Sequence, residues 1–159
     1  MDRSLPALTV VTAVGSGVVG GVFFAFSAFV MRALDRLPAR QGLAAMQSIN
    51  VMAPTAPLMI LLVGTALCSL VLGGSALFRL DEAVARYQLA GAALYLLAVA
   101  ITGIYHVPRN DALTALDPSA ADAVARWRAY IPGWVLWNHV RTATSVAGAV
   151  LLTVAGRIG

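Results

Sequence analysis

Charge is scarce in this chain of 159 residues: acidic and basic side chains together make up 11%, and no lysine is present. With 60% apolar residues and a mean hydropathy of +0.83, that scarcity excludes the disordered class and lies outside ordinary water-soluble composition. A single cysteine, Cys68, excludes a disulfide framework. Two histidines and one distant cysteine, with no carboxylate inside the long apolar runs, do not make a convincing ligand set, so no metal is expected. The net charge of +4 comes from arginines that stand singly between apolar runs. Nucleic acid would call for a basic stripe, so no nucleic-acid partner is expected. The flanks of membrane spans explain the pattern better.

What is present is a series of long uncharged runs. Leu5 to Met31 carries no charge, which is longer than the roughly 20 residues that cross a bilayer, and too long for the apolar region of a signal peptide, so this span is expected to be retained. The later part of a second run, about Val51 to Phe78, reads as the next span, with Pro54 and Pro57 near its first turns. A third runs from Tyr87 to Val107. The fourth, about Gly133 to Ala155, is apolar except for Asn138, His139 and Arg141. The expectation is one all-α integral membrane domain over 1–159, a four-transmembrane-helix bundle with spans at about 5–31, 51–78, 87–107 and 133–155.

Short amphipathic interfacial helices are expected in loops one and three. Leu43, Met46 and Ile49 recur at helical spacing between Pro38 and Asn50. Asp117 followed by Pro118 reads as a cap with proline at the first helical position, Asp122 and Arg126 can pair one turn apart, and Pro132-Gly133 reads as the end of that helix. Arg32, Arg36, Arg40, Arg109, Arg126 and Arg128 lie on the side of these two loops, against Arg3, Arg79, Arg86 and Arg157 opposite, too even a split to orient the chain.

Gly15, Gly17 and Gly20 match the G-x-G-x-x-G dinucleotide fingerprint, with Asp35 at the expected distance. No alternation of strands and helices follows, as that fold would need. Ala13, Gly17, Gly21 and Ala25 instead read as a small-xxx-small face for close helix packing, which would also suit a homo-oligomer.

Hydrocarbon penalises polar groups, so polar residues within the spans are informative. Trp134, Asn138, Arg141 and Ser145 fall on one face of the fourth span, extended by Gly148. A central arginine costs about 2.5–3.5 kcal/mol to insert, so Arg141 should face inward and meet an acceptor: Asp111, a carbonyl or an anionic ligand. At matching depth lie Arg32, Gln47, Asn50, Tyr105, His106 and Asn110. These predict one pocket at a membrane face, roofed by the interfacial helices and floored by Trp134 and Trp137, for a lipophilic, partly polar molecule. His139 points away from Arg141. Haem between His106 and His139 is conceivable but lacks a paired-histidine pattern.

The stretches Gly20-Gly-Val-Phe-Phe-Ala-Phe-Ser-Ala-Phe-Val-Met31, Ala45-Met-Gln-Ser-Ile-Asn50, His106-Val-Pro-Arg-Asn-Asp111 and Trp134-Val-Leu-Trp-Asn-His-Val-Arg-Thr142 resemble the anthrone-oxygenase-like integral membrane family. Many of its members have no assigned function, and one branch oxidises anthrones to anthraquinones without flavin or haem. Arg109 stands where that family often carries an apolar residue. The resemblance implies a monooxygenase that needs no cofactor, acting on a lipophilic aromatic molecule and molecular oxygen among membrane lipids. It implies a bacterial cytoplasmic membrane location. In that chemistry His106 is the best base, Arg141 with Asn138 would stabilise an oxyanion, and His139 is the alternative base. Trp134, Trp137 and Tyr130 would stack on flat rings, with Asn110, Asn50, Gln47 and Tyr105 completing the substrate contacts. The competing class is a non-enzymatic small membrane subunit or a lipid- or quinone-binding protein. A proton-coupled transporter is disfavoured by the missing intramembrane carboxylate.

Overall fold

Apolar runs without interior breakers should fold as continuous helices, since a bilayer leaves no other way to satisfy each backbone group. The computed structural model, which describes residues 4–159, is all-α, with no strand among the described residues. Five helices follow one another: α1 (Ser4–Asp35), α2 (Ala39–Met52), α3 (Ala56–Ala76), α4 (Ala83–Thr114) and α5 (Ala123–Ile158). Three of them, α1, α3 from Pro57 onward and α4, are long and apolar enough to cross a membrane. The glycines of the dinucleotide-like motif lie inside α1, so the fingerprint has no strand before it.

Several boundaries differ from expectation. Val51 and Met52 end α2 instead of opening the second span. The break falls at 53–55, where Pro54 has no amide to continue the helix ladder and Thr55 is extended, and α3 then starts with Pro57 in its first turn, where no amide is needed. Asp117 does not cap a helix. Its carboxylate accepts from the Ser119 amide and hydroxyl, both at 2.7 Å, which makes a local turn. Those two contacts, the backbone one first, hold the carboxyl below its ordinary value of 3.8.

Nor does Pro132-Gly133 end a helix, because α5 runs unbroken through both residues. Proline removes one amide and crowds the previous turn, but Trp127 and Trp134 lie two turns apart on one buried face. Their common cluster with Met31, Leu43, Met46 and Leu113 holds the helix across the proline, whose own ring is exposed. The interfacial helix expected in loop three is therefore the first part of α5. The expected pair Asp122–Arg126 does form, at 2.7 Å.

The packing order places α5 at the centre of the argument. Its most extensive interfaces are with α1 and α4, while α3 packs on the other sides of those two helices. Close approach depends on Gly91 and Gly148: a β-carbon on Gly148 would sit 2.9 Å from the Gly91 carbonyl oxygen. Ser16 of α1 donates to the Ser145 carbonyl at 2.8 Å. The small-residue face expected at Ala13, Gly17, Gly21 and Ala25 is only partly used, since Gly21 is exposed with open space beside it. The buried face is one position over, through Thr12, Ser16, Val19, Gly20 and Phe23. Helix α2 does not lie free on a membrane surface. Leu43 and Met46 are fully buried against α1, α4 and α5, and Gly42 permits this, because a β-carbon there would lie 2.5 Å from the Leu34 carbonyl oxygen.

Candidate functional site

Two wide π-helical turns interrupt the long helices next to α5. One covers Phe26–Val30 in α1 and the other Thr102–His106 in α4. In each, the next amide reaches back five residues instead of four, from Met31 to Phe26 and from Val107 to Thr102. Such turns insert a residue into the helix ladder and are frequent at functional sites. Here both carry residues that hold the polar stripe of α5, and neither leaves a mark in the hydrophobic pattern.

Asn138 is completely buried. Its amide nitrogen donates to the Phe23 carbonyl at 2.7 Å and to the Ser27 hydroxyl at 2.5 Å, tying α5 to the first wide turn. Its amide oxygen accepts a short hydrogen bond from Nη2 of Arg141. Arg141, 5% exposed, also donates from Nη1 to the Thr102 hydroxyl at 3.3 Å, and its guanidinium lies 4.1 Å from the centre of the Phe23 ring. Among the described residues no carboxylate forms an ion pair with it. Asp111, expected as a partner, is exposed, because the guanidinium turns into the bundle while Asp111 turns out from α4.

His106, 1% exposed, places its ring edge-on to Trp134, with centroids 5.1 Å apart. Its Nε2 lies 3.3 Å from the Trp134 carbonyl, an acceptor, so the donating tautomer carries its proton there. Nδ1 makes no hydrogen bond of ordinary geometry. Among the described residues, the buried side-chain polar atoms without partners are His106 Nδ1, Arg141 Nε and Ser145 Oγ. All three lie on the polar stripe of α5 or face it. Nearly all buried polar groups in proteins are paired, so such a local concentration calls for a cause.

The remaining expected residues divide into two groups. Trp134 is buried, and its Nε1 donates to Asn110 Oδ1 at 3.0 Å, where the Tyr130 hydroxyl also donates at 2.8 Å. These three residues form the wall beside His106. Gln47 and Asn50 serve another purpose. Gln47 donates to the carbonyls of Leu113 and Leu116 at 2.9 and 2.7 Å, closing the end of α4, and Asn50 reaches the Asn110 carbonyl at 3.4 Å. They fasten α2 to α4, because the last carbonyls of α4 need donors and the α2 amides lie opposite them. Trp137 is no floor. It is 38% exposed on the outer side of α5, against Tyr105 at 5.2 Å.

His139 is exposed, in a groove of about 240 Å³ with Arg32, Asp35 and Pro132, and His106 is buried against Trp134. The two histidines face different surroundings, which disfavours a haem between them. Phe23, Ser27 and Thr102 were not foreseen as site residues, since hydroxyl and aromatic side chains are ordinary within apolar spans. No cluster of three metal-ligating side chains forms among the described residues.

Residues 45–151 match the family model described as anthrone oxygenase. The chain belongs to the anthrone oxygenase family. The matched stretch includes His106, Asn138 and Arg141, and its apolar helices fit a membrane protein of this family. No curated protein and no solved structure matches the chain.

Proposed function

We propose that this chain is a four-span membrane oxygenase of the bacterial cytoplasmic membrane, acting on a lipophilic, anthrone-type aromatic with molecular oxygen and without a cofactor. The observation that carries the reading is that His106 Nδ1, Arg141 Nε and Ser145 Oγ are buried without hydrogen-bond partners on or facing one stripe of α5, and that among the described residues no carboxylate pairs with the Arg141 guanidinium. A cation left without a carboxylate inside the bundle suits a ligand oxygen that becomes negative.

In this reading His106 Nδ1 takes a proton from the activated C–H of the anthrone, giving a delocalised enolate. Arg141, held by Asn138, stabilises the enolate oxygen. The enolate passes one electron to oxygen, the two radicals join as a C–O bond, and the resulting peroxide loses water to leave the second ketone. One anthrone and one dioxygen give one anthraquinone and one water, so no outside reductant enters. Trp134 and Tyr130 supply flat apolar walls.

The test follows anthraquinone formation from anthrone by purified protein in lipid nanodiscs, with spontaneous oxidation subtracted. His106→Ala and Arg141→Ala should each lower the catalysed rate at least about 100-fold. Rates like wild type in both variants would remove the assignment.

A further inference from the structure

A second feature lies one side chain away from His106. A groove of about 300 Å³ opens between the end of α4 and the first turns of α5, lined by Tyr105, Arg109, Leu113, Arg126, Tyr130 and Gly133 among others. Its inner wall is made of Tyr105 and Tyr130. Tyr105 packs edge-on to His106, with centroids 5.3 Å apart, so it separates the groove from the buried histidine. Gly133 provides the room for it: a β-carbon there would lie 2.5 Å from the Tyr105 hydroxyl.

The charge in this groove is unbalanced. Arg126 is paired with Asp122 at 2.7 Å, whereas Arg109 makes no ion pair among the described residues. The Arg109 guanidinium instead lies flat over the Tyr105 ring, 3.6 Å from its centre, and Nη1 donates to the Tyr105 carbonyl at 3.3 Å. That contact uses one face of the guanidinium and one of its five donors. A carboxylate could meet the free donors in the forked geometry that arginine favours, while its ring system lies along the apolar lining at Leu116 and Ala129 and the edges of the two tyrosines.

We infer that this groove is a binding site for a planar aromatic acid, recognised by Arg109 through the ionised carboxylate and by the apolar lining and the tyrosine edges through the rings. The inference deepens the reading above and rests on it for the substrate's passage inward, with Tyr105 as the side chain that must swing aside. The preferred substrate is then a carboxylated anthrone rather than the bare ring system.

The test is a binding measurement that needs no turnover. Full-length protein in phosphatidylcholine nanodiscs is titrated with anthraquinone-2-carboxylate and with unsubstituted anthraquinone, against empty nanodiscs. The acid should bind about ten-fold more tightly, the worth of one charge-assisted hydrogen bond. Arg109→Gln should abolish that preference by weakening the acid more than anthraquinone, and Gly133→Ala should weaken both ligands. Equal affinities in wild type, or a preference that survives Arg109→Gln, would overturn the inference. So would loss of the preference in phosphatidylglycerol nanodiscs, which would assign Arg109 to lipid headgroups. His106→Ala should keep the preference while losing oxidation, so a protein that binds the acid but never oxidises anthrones would refute the oxygenase reading and not this site.

Discussion

Replacing Asn138 with leucine should expose how the buried cation is held. The substitution keeps much of the volume but removes two interhelical hydrogen bonds, to the Phe23 carbonyl and the Ser27 hydroxyl, and the amide oxygen that accepts from Arg141. Interhelical hydrogen bonds in membrane proteins average about 0.6 kcal/mol, and a bond to a buried charge is worth about 1.5–3 kcal/mol. The sum is a loss of about 3–4 kcal/mol, most of it from Arg141 left with Thr102 alone. If so, removing the charge should repair part of the damage. Asn138→Leu combined with Arg141→Met should be more stable than the two single losses added together, by at least about 1.5 kcal/mol. Equilibrium unfolding in mixed micelles, as the fraction of sodium dodecyl sulfate rises, measures all four corners of the cycle. Strict additivity would refute the coupling and with it the view of Asn138 as the holder of the guanidinium.

Three shorter predictions follow from other contacts. Gly148→Val should destabilise the chain by about 1–3 kcal/mol in the same unfolding assay, because its β-carbon would meet the Gly91 carbonyl; Gly21→Ala, with open space, should not. Gln47→Ala should increase hydrogen exchange over 111–116, since its amide closes the end of α4. The depressed Asp117 carboxyl stabilises its turn above the ordinary value of 3.8, and that contribution is lost as the pH falls below it. Protection of the Ser119 amide, taken as its exchange against the intrinsic rate at each pH, should fall on acidification through that range, and Asp117→Asn should remove that change.

The sequence made the class of fold legible because hydrocarbon tolerates so few patterns. Long uncharged runs become helices, and a lone arginine at mid-run must turn inward, as Arg141 does. The stripe Trp134, Asn138, Arg141 and Ser145 could be read from helical periodicity alone, and all four are buried. The partners of the stripe were not legible. A π-helical turn shifts the facing side chains by one position, and Ser27 and Thr102 come to Asn138 and Arg141 through two such turns. Pro132 misled for a related reason. Its cost is local, whereas the packing of Trp127 and Trp134 that outweighs it is a tertiary contact. Gln47 and Asn50 shared the depth of the site, yet depth does not separate a wall residue from a clasp.

The number of crossings follows from how α5 is seated. Three helices qualify as spans on length and composition, and α5 carries Asn138, His139 and Arg141 in its middle, which lowers its apolar character. Its neighbours, however, fix its depth. Near one end, Gly159 lies against Val84 at the start of α4; further along, Gly148 meets Gly91 and Ser16; then Arg141 meets Thr102 and Phe23; and Trp134 meets His106 and Phe26. From Gly159 to Trp134 the helix rises about 37 Å at 1.5 Å per residue, more than the roughly 30 Å of hydrocarbon. On the four-span reading proposed above, α5 keeps pace with α1 and α4 over that distance and crosses with them. That reading predicts that both ends of the chain lie on the same side of the membrane, because four crossings return it to its starting face. Reporter fusions at both ends, one active only in the cytoplasm and one only outside it, measure this directly. Termini on opposite sides would mean three crossings, and would refute the seating of α5 alongside α1 and α4 across the bilayer.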